Sequence, residues 1–204
     1  YGIFYEFIPF NGYNEDSSKI IPLSEVKLNT NYAMVITTNA GLWRYKIGDT
    51  IRFTSLSPYR IQVTGRTKHF INVFGEELII DNAEKALEKV CSQTKSNVFN
   101  YTAGPIFMEK NKQGAHEWII EFNREPEDLS LFCRLFDKAL QNENSDYEAK
   151  RYNNMTLKPL RVHKAQKGLF YKWLSQKGKL GGQHKVPRLS NSREILDELL
   201  KLNY

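Results

Sequence analysis

Two short stretches hold the residues whose types and spacing could do chemistry. The first begins Tyr45-Lys46-Ile47-Gly48-Asp49-Thr50, continues through a strand, and reaches Gly65-Arg66-Thr67-Lys68. Asp49 follows a glycine that lets the chain turn tightly, and it heads a strand. A carboxylate fixed there can accept two hydrogen bonds from a vicinal diol such as a ribose. Arg66 and Lys68 add two cations where that strand ends. The second stretch is Gly-Lys-Leu-Gly-Gly-Gln-His-Lys-Val-Pro-Arg, residues 178–188. Its three glycines followed by Lys185 describe a cation on an adaptable tether. Each feature alone has a plain structural reading. A Gly-Asp pair makes a turn, Arg66 and Lys68 solvate a strand end, and a basic run is a solvated loop.

The elements that must position these side chains follow from periodicity. Residues 1–10 are aromatic and β-branched and read as a strand stopped by Pro9. Residues 11–30 are polar and read as a long loop. Strands are expected over 32–38, 50–54 and 59–65, with a hairpin turn at Asn39-Ala40-Gly41 and another at Ser57-Pro58. The alternation over 59–65 predicts a half-buried strand. After Gly65 the pattern becomes mixed, so a boundary divides a β-rich part, 1–65, from an α+β part, 66–204. There, Asp81 is the expected N-cap of a helix, with Glu84 completing a capping box and Ala83, Ala86, Leu87 and Val90 on one face. Val98–Met108 reads as extended but interrupted at Gly104-Pro105. Residues 116–123 read as a strand with one buried face, Trp118, Ile120 and Phe122. A helix opening at Pro126-Glu127-Asp128 carries the stripe Leu129, Phe132, Leu135, Phe136 and Ala139. A short strand is expected over 157–162, and helices over 168–176 and 193–202. This order resembles a split βαβ sheet covered by helices.

Composition excludes several classes. With 41% hydrophobic and 13% aromatic residues, a packed core is expected rather than disorder. No apolar run approaches the ~18 residues of a membrane span, and no basic-then-apolar leader is present. The chain starts at Tyr1 already reading as strand, so it is expected to be a piece of a longer protein. Cys91 and Cys133 both fall in helical patterns and are expected to be reduced core residues of a cytoplasmic protein. The histidines at 69, 116, 163 and 184 show no metal-ligand spacing with them. No phosphate-cradling Gly-x-x-x-x-Gly-Lys loop and no serine nucleophile elbow occur. Residues 161–188 hold eight Lys or Arg and no acid, and without them the net charge of +6 becomes −2. The basicity is local, so polyanion coating is not required.

The order Tyr-x-x-Gly-Asp, strand, Gly65-Arg66-x-Lys68-x-Phe70-Ile71, then a Gly-Glu segment entering a helix resembles the acyl-adenylate-forming enzymes. The form Asn72-Val73-Phe74-Gly75-Glu76-Glu77 followed by Asp81-Asn82-Ala83-Glu84 is similar to the Gretchen Hagen auxin-responsive family of acyl-acid amido synthetases, in its bacterial branch. The resemblance covers nearly all of the chain and only the C-terminal part of such an enzyme. It implies the β-rich end of a large adenylating domain followed by a smaller, mobile α+β domain. By the resemblance Asp49 holds the ATP ribose hydroxyls, Arg66 lies beside the ribose and phosphate, and Lys68 sits at the hinge. Tyr45 is either structural or nucleotide-lining. Gly-Gln-His-Lys-Val-Pro-Arg is similar to the C-terminal lysine motif of adenylating enzymes, which makes Lys185 the cation on the α-phosphate. There it meets charge gathering on the phosphoryl oxygens, an effect on the order of a few kcal/mol in a dry cleft. The roles of Gly75, Glu76 and Glu77 stay open, since adjacent carboxylates in a loop are commonly solvated.

The implied activity is an ATP- and Mg²⁺-dependent ligase that adenylates a carboxylic acid and passes the acyl group to an amine, that of an amino acid. Transfer to coenzyme A as a thioester is the alternative fate. A different class, a nucleic-acid-binding module, would use Phe170, Tyr171 and Trp173 among the cations of 161–188 as a stacking surface. The spacing of Phe170, Trp173 and Leu174 on one helix face favours core packing, so no nucleic-acid partner and no membrane partner is expected.

Overall fold

Aromatic and β-branched runs pair early in the chain. A computed structural model describes residues 2–10, 19–67, 70–108, 113–154, 156–179, 181 and 185–204. They form two compact units, Tyr1–Lys68 and His69–Tyr204. The first is an antiparallel sheet of β1 (Ile3–Pro9), β2 (Ile21–Pro22), β3 (Asn31–Thr38), β4 (Tyr45–Leu56) and β5 (Tyr59–Arg66), in the order β2-β1-β3-β4-β5. The expected loop at 11–30 therefore contains a short strand, and a 3-10 turn at Leu23–Glu25; residues 11–18 lie outside those described. One cluster packs Phe7, Tyr32, Ile51 and Phe53 with Ile21 and Val26. The rings of Phe7 and Phe53 meet edge to face with centroids 5.1 Å apart. The expectation that β5 is half-buried is corrected. It is an edge strand flanked only by β4, and Ile61 and Val63 are 50% and 63% exposed.

The second unit opens with the two-stranded pair β6 (Phe70–Ile71) and β7 (Leu78–Ile79), which leads into α1 (Ile80–Thr94). Asp81 is not the cap of α1 but lies in its first turn. Asn82 reaches back to accept the Ile79 N–H at 3.2 Å, and Asp81 instead pairs with Lys85 one turn on. β8 (Asn97–Ile106) runs straight through Gly104-Pro105. A proline is tolerated because β8 is an edge strand, whose outward side needs no ladder donor. β9 (Ala115–Arg124) pairs antiparallel with β8, and α2 (Leu129–Glu143) and α3 (Ser145–Arg151) then carry the chain to β10 (Arg161–Lys164), parallel to β9. Two helices follow, α4 (Leu169–Gln176) and α5 (Glu194–Asn203). Sequence periodicity missed α3, a seven-residue polar helix with few apolar positions to mark it. The ladder of β10 also begins later than expected. Leu157 and Leu160 are buried in the core as extended chain before it.

β9 is the central strand, and both of its faces are buried rather than one. Trp118, Ile120 and Phe122 pack with Ala83, Leu87 and Val90 of α1 and Phe132 and Phe136 of α2. Ile119 packs on the other side with Leu169, Phe170 and Trp173 of α4 and Leu196 and Leu199 of α5. Among the described residues no helix is long and apolar enough to cross a membrane. Cys91 and Cys133 are free thiols, both half-buried.

Where α2, α3 and the chain before β10 meet, a buried ion pair replaces apolar packing. Arg151 donates to Asp137 Oδ2 at 2.8 Å and to Leu157 O at 2.8 Å, and the Tyr147 hydroxyl donates to Asp137 Oδ1 at 2.7 Å. Burial by itself would raise the Asp137 carboxyl, but hydrogen bonds from Arg151 and then Tyr147 overcome it and hold the group below its ordinary value. Asp137→Ala leaves a buried guanidinium uncompensated and should lower unfolding free energy by about 3–5 kcal/mol, read from urea midpoints. The sign with pH follows from the depressed value. The stabilisation is complete above about pH 4 and fades as pH falls toward the folded-state value, because the unfolded chain takes up the proton first. Urea midpoints between pH 7 and pH 2.5 should show a shallower acid limb for Asp137→Asn than for the parent.

Candidate functional site

In the first unit the site is built by a kink in β4. Gly48 does not turn the chain ahead of a strand, as its type suggested. It lies within the strand, in the left-handed region at φ +88°, where the β3–β4 register shifts between Ala33 and Val35. A bulge of this kind re-aims the next side chain. Asp49 is thereby set opposite Arg66 on β5, and the two form an ion pair with Arg66 Nε 3.2 Å from Asp49 Oδ1. The Thr67 N–H donates to Gly48 O at 2.8 Å and closes the kink. Both charged side chains remain accessible, Arg66 at 65% and Asp49 at 32%. The structure thus brings together Asp49 and Arg66, an acceptor and a bidentate-capable donor side by side. Tyr45 begins the same strand and is half exposed. Lys68 lies outside the described residues.

In the second unit Lys185 is exposed, and the residues after it are pinned. Thr102 Oγ1 donates to Pro187 O at 2.6 Å, the Ala103 N–H to Arg188 O at 2.9 Å, and the Ser190 N–H to Ala103 O at 3.1 Å. Leu189 forms a parallel bridge with Ala103 on the outer edge of β8. Val186 enters the core beside α4 and α5, while Leu189 enters the one beside α1 and α2. The absence of a side chain at Gly104 lets the Ser192 carbonyl come close, since a Cβ there would stand 3.1 Å from it. Arg188 pairs with Glu84 of α1, and its guanidinium lies 5.1 Å from the Tyr101 ring centroid. The Tyr101 hydroxyl donates to Glu84 Oε1 at 2.8 Å, and burial pushes its phenol well above the ordinary range, so it stays a donor.

Sequence reasoning missed the state of Glu76. A solvated loop carboxylate was the ordinary expectation, but Glu76 is fully buried. Its Oε2 accepts the Phe74 N–H at 2.7 Å, and its Oε1 shares a hydrogen bond of 2.8 Å with His116 Nε2. The buried His116 ring stacks on Tyr147 with centroids 5.0 Å apart, and its Nδ1 has no partner among the described residues. Phe74 covers Gly114, where a Cβ would lie 2.4 Å from the ring. Asn72 adds two bonds: its side chain accepts the Glu77 N–H at 3.2 Å, and its own N–H donates to Asn191 Oδ1 at 2.8 Å. The loop 72–77 is therefore a packed plug, tied to the segment that follows Lys185. A fixed Gly-Glu pair before an apolar run was the one signal in the sequence, and it does not distinguish burial from solvation.

The basic segment 161–188 loses much of its free charge. Lys164 pairs with Glu125 at 3.0 Å, Lys177 with Glu198 at 2.8 Å, and Arg188 with Glu84. Phe170 and Trp173 are buried, which leaves Tyr171 as the exposed aromatic of the three proposed for base stacking. Among the described residues no group of three or more His, Cys, Asp or Glu could hold a metal ion.

Comparison with known proteins places this arrangement. The sequence pattern of the GH3 family C-terminal domain matches residues 81–194, and that of the GH3 family central domain matches residues 1–66. Indole-3-acetic acid-amido synthetase GH3.10 of Arabidopsis thaliana is 28% identical over 219 residues, covering 96% of this chain and 36% of that protein. The 4-substituted benzoates-glutamate ligase GH3.12 of the same plant is 25% identical, with 96% and 36% covered. Jasmonoyl--L-amino acid synthetase JAR6 of Nicotiana attenuata is 26% identical, with 91% and 33% covered. The chain thus spans about a third of the length of these relatives. The solved structure of GH3.15 acyl acid amido synthetase superposes with a TM-score of 0.70 at 20% identity, over 98% of this chain and 36% of that one, a likeness of fold.

The plug yields a direct expectation. Glu76→Ala strands the Phe74 N–H and a histidine nitrogen inside the fold and should cost about 3 kcal/mol of stability in denaturant unfolding. Hydrogen exchange at the Phe74 amide should accelerate with it. Unchanged exchange at that amide would show that Glu76 is not its partner.

Proposed function

The chain belongs to the GH3 family, and on that premise we propose that it forms the C-terminal part of an ATP-dependent ligase that adenylates a carboxylic acid and joins the acyl group to the amine of an amino acid. The observation that carries the reading is the match of the family's C-terminal and central domains over residues 81–194 and 1–66. The exposed Lys185 and the accessible Asp49–Arg66 pair support it. The relatives named above are amido synthetases or amino-acid ligases, so the coenzyme A thioester reading finds no counterpart among them. A bacterial origin rests on the form of residues 72–84 alone, and these relatives are plant proteins. A cytoplasmic location belongs to the same proposal, supported by the free thiols of Cys91 and Cys133.

In this mechanism each residue has one task. Asp49 accepts hydrogen bonds from the ribose hydroxyls, and Arg66 both orients that carboxylate and offers its remaining donors to the ribose and phosphate. Tyr45, half exposed on the same strand, is the candidate lining residue. Lys185 carries the cation for the α-phosphate, where charge develops as the carboxylate attacks. A Mg²⁺ ion accompanying ATP belongs to the same proposal; such an ion would be held largely by the substrate phosphates and water. Lys68 is proposed as the pivot of residues 66–204, which brings Lys185 to the nucleotide for the first half-reaction and withdraws it for the second.

Asp49→Ala in the full-length protein should weaken ATP binding by about 1.5–3 kcal/mol while leaving it folded, measured by calorimetric titration. An unchanged affinity would remove Asp49 from the site. Lys185→Ala should slow acid-dependent pyrophosphate release by about 10²–10³-fold and spare amide formation from supplied acyl-adenylate. Equal losses in both half-reactions would mean that the lysine does not serve the first.

A further inference from the structure

Among the described residues Lys185 is held from its C-terminal side. The sequence before it is rich in glycine, and the chain after it is bonded to β8 through Thr102 and Ala103. Residues 186–190 are thus the described part of the chain that bears on its position. Arg188 is three residues on, within ~11 Å of chain at full extension.

Val186 and Leu189 each enter a core, so their burial selects the register of this segment on β8. What burial of two apolar side chains leaves open is the fine setting of the chain, a matter of about an ångström at Lys185, next to Val186. A polar side chain with a unique seat can fix that setting. Arg188 has one. Its guanidinium meets the Glu84 carboxylate of α1 and lies over the Tyr101 ring of β8, and Tyr101 in turn donates to the same Glu84. Displaced, the arginine would lose both the anion and the ring face.

The clamp is only partly buried, with Arg188 and Glu84 side chains 43% and 46% exposed. An ion pair of that exposure contributes little to global stability. Its chemistry suits local placement better than holding the fold together.

We propose that Arg188 is a positioning residue for Lys185: seated between Glu84 and Tyr101, it fixes the fine setting of residues 186–190 against β8 and so the point at which the lysine ammonium is presented. The inference rests on the reading of Lys185 as the adenylation cation. Arg188 acts through that lysine, not on the reacting atoms.

The test uses the full-length protein and compares Lys185→Ala, Arg188→Gln, Arg188→Lys, Glu84→Gln and the double variant Lys185→Ala/Arg188→Gln. Acid-dependent ATP–pyrophosphate exchange reads the first half-reaction, amide formation from synthetic acyl-adenylate reads the second, and thermal melting reads the fold. Arg188→Gln should slow exchange roughly 10- to 100-fold, as misplacement of a reacting group by about an ångström does. Melting temperature and amide formation should stay near the parent's. Arg188→Lys should recover only part of the exchange, since an ammonium keeps the charge but loses the planar contact with the ring. Added to Lys185→Ala, the Arg188→Gln change should cause no further loss, because its effect passes through the missing ammonium. Parent-like exchange in Arg188→Gln beside a crippled Lys185→Ala would overturn the positioning role alone. So would equal losses in both half-reactions, or effects that multiply in the double variant. Parent-like exchange in Lys185→Ala would overturn the lysine assignment and this inference with it. Should Arg188→Gln fail to fold, Glu84→Gln decides, because it removes the anion and leaves the arginine in place; parent-like exchange there overturns the proposal.

Discussion

A carboxylate cannot be buried without a partner, and the central strand of the second unit buries two. Glu117 and Glu121 lie on the face of β9 that α4 and α5 cover. Glu121 Oε1 accepts the Gly168 N–H at 2.7 Å, which fixes the start of α4. Glu117 is bound by His163 of β10 at 2.9 Å and by Arg193 at 2.7 Å. Burial alone would raise its carboxyl, but the hydrogen bonds from His163 and then Arg193 outweigh it and hold the group low. Arg193 also donates to Pro105 O at 2.9 Å and pairs with Asp197 one turn into α5. One acidic residue thus sets the edge of β10, the entry of α5 and the approach of that entry to β8.

The parts of this fold that were legible in the sequence are those where one pattern decides. The stripes of α1 and α2 follow helical spacing: all four predicted residues of α1 are buried, and in α2 Phe132, Phe136 and Ala139 are, while Leu129 and Leu135 are partly buried and the buried Leu140 was not foreseen. Asp128 caps α2 by accepting the Ser130 and Leu131 N–H groups at 2.7 and 3.0 Å, a role its type announces. Where two chemistries compete, the pattern misleads. The alternation Trp118, Ile120, Phe122 against Glu117 and Glu121 reads as one wet face, because acids are usually solvated. Only the positions of His163, Arg193 and Gly168, distant in sequence, make the burial of those acids possible. The N-cap of α1 is Ile79, and its N–H is taken by Asn82 in the first turn rather than Asp81 acting as the cap, for a similar reason. Asn82 also donates to Glu143 O at 2.9 Å, a tertiary bond that local propensity does not contain.

The candidate site divides along the same line. That Gly48 needs an unusual backbone was legible from its type beside Asp49. Whether this meant a turn or a bulge was not, because the answer lies in the register with β3 and β5. The pairing of Asp49 with Arg66 is a cross-strand relation that no spacing along the chain specifies. Lys185 was legible as a cation after glycines, but the anchoring of the residues after it was not. The bonds of Thr102, Ala103 and Tyr101 to residues 187–190 join parts of the chain more than eighty residues apart.

On the proposed reading Lys185 serves the first half-reaction and withdraws for the second, and order on its C-terminal side suits that task. Ordering a free backbone residue costs roughly 1–2 kcal/mol, so residues fixed on folding need not lose that entropy again when the lysine is placed. In this chain residues 186–190 are ordered once, on folding, by two cores and the edge of β8. The Asn72–Asn191 bond joins that ordered half to the plug at 72–77, which Glu76 and His116 hold. The plug and the root of the lysine loop are thus joined through packed and hydrogen-bonded groups, and one buried pair, Glu76 with His116, bears on the placement of both.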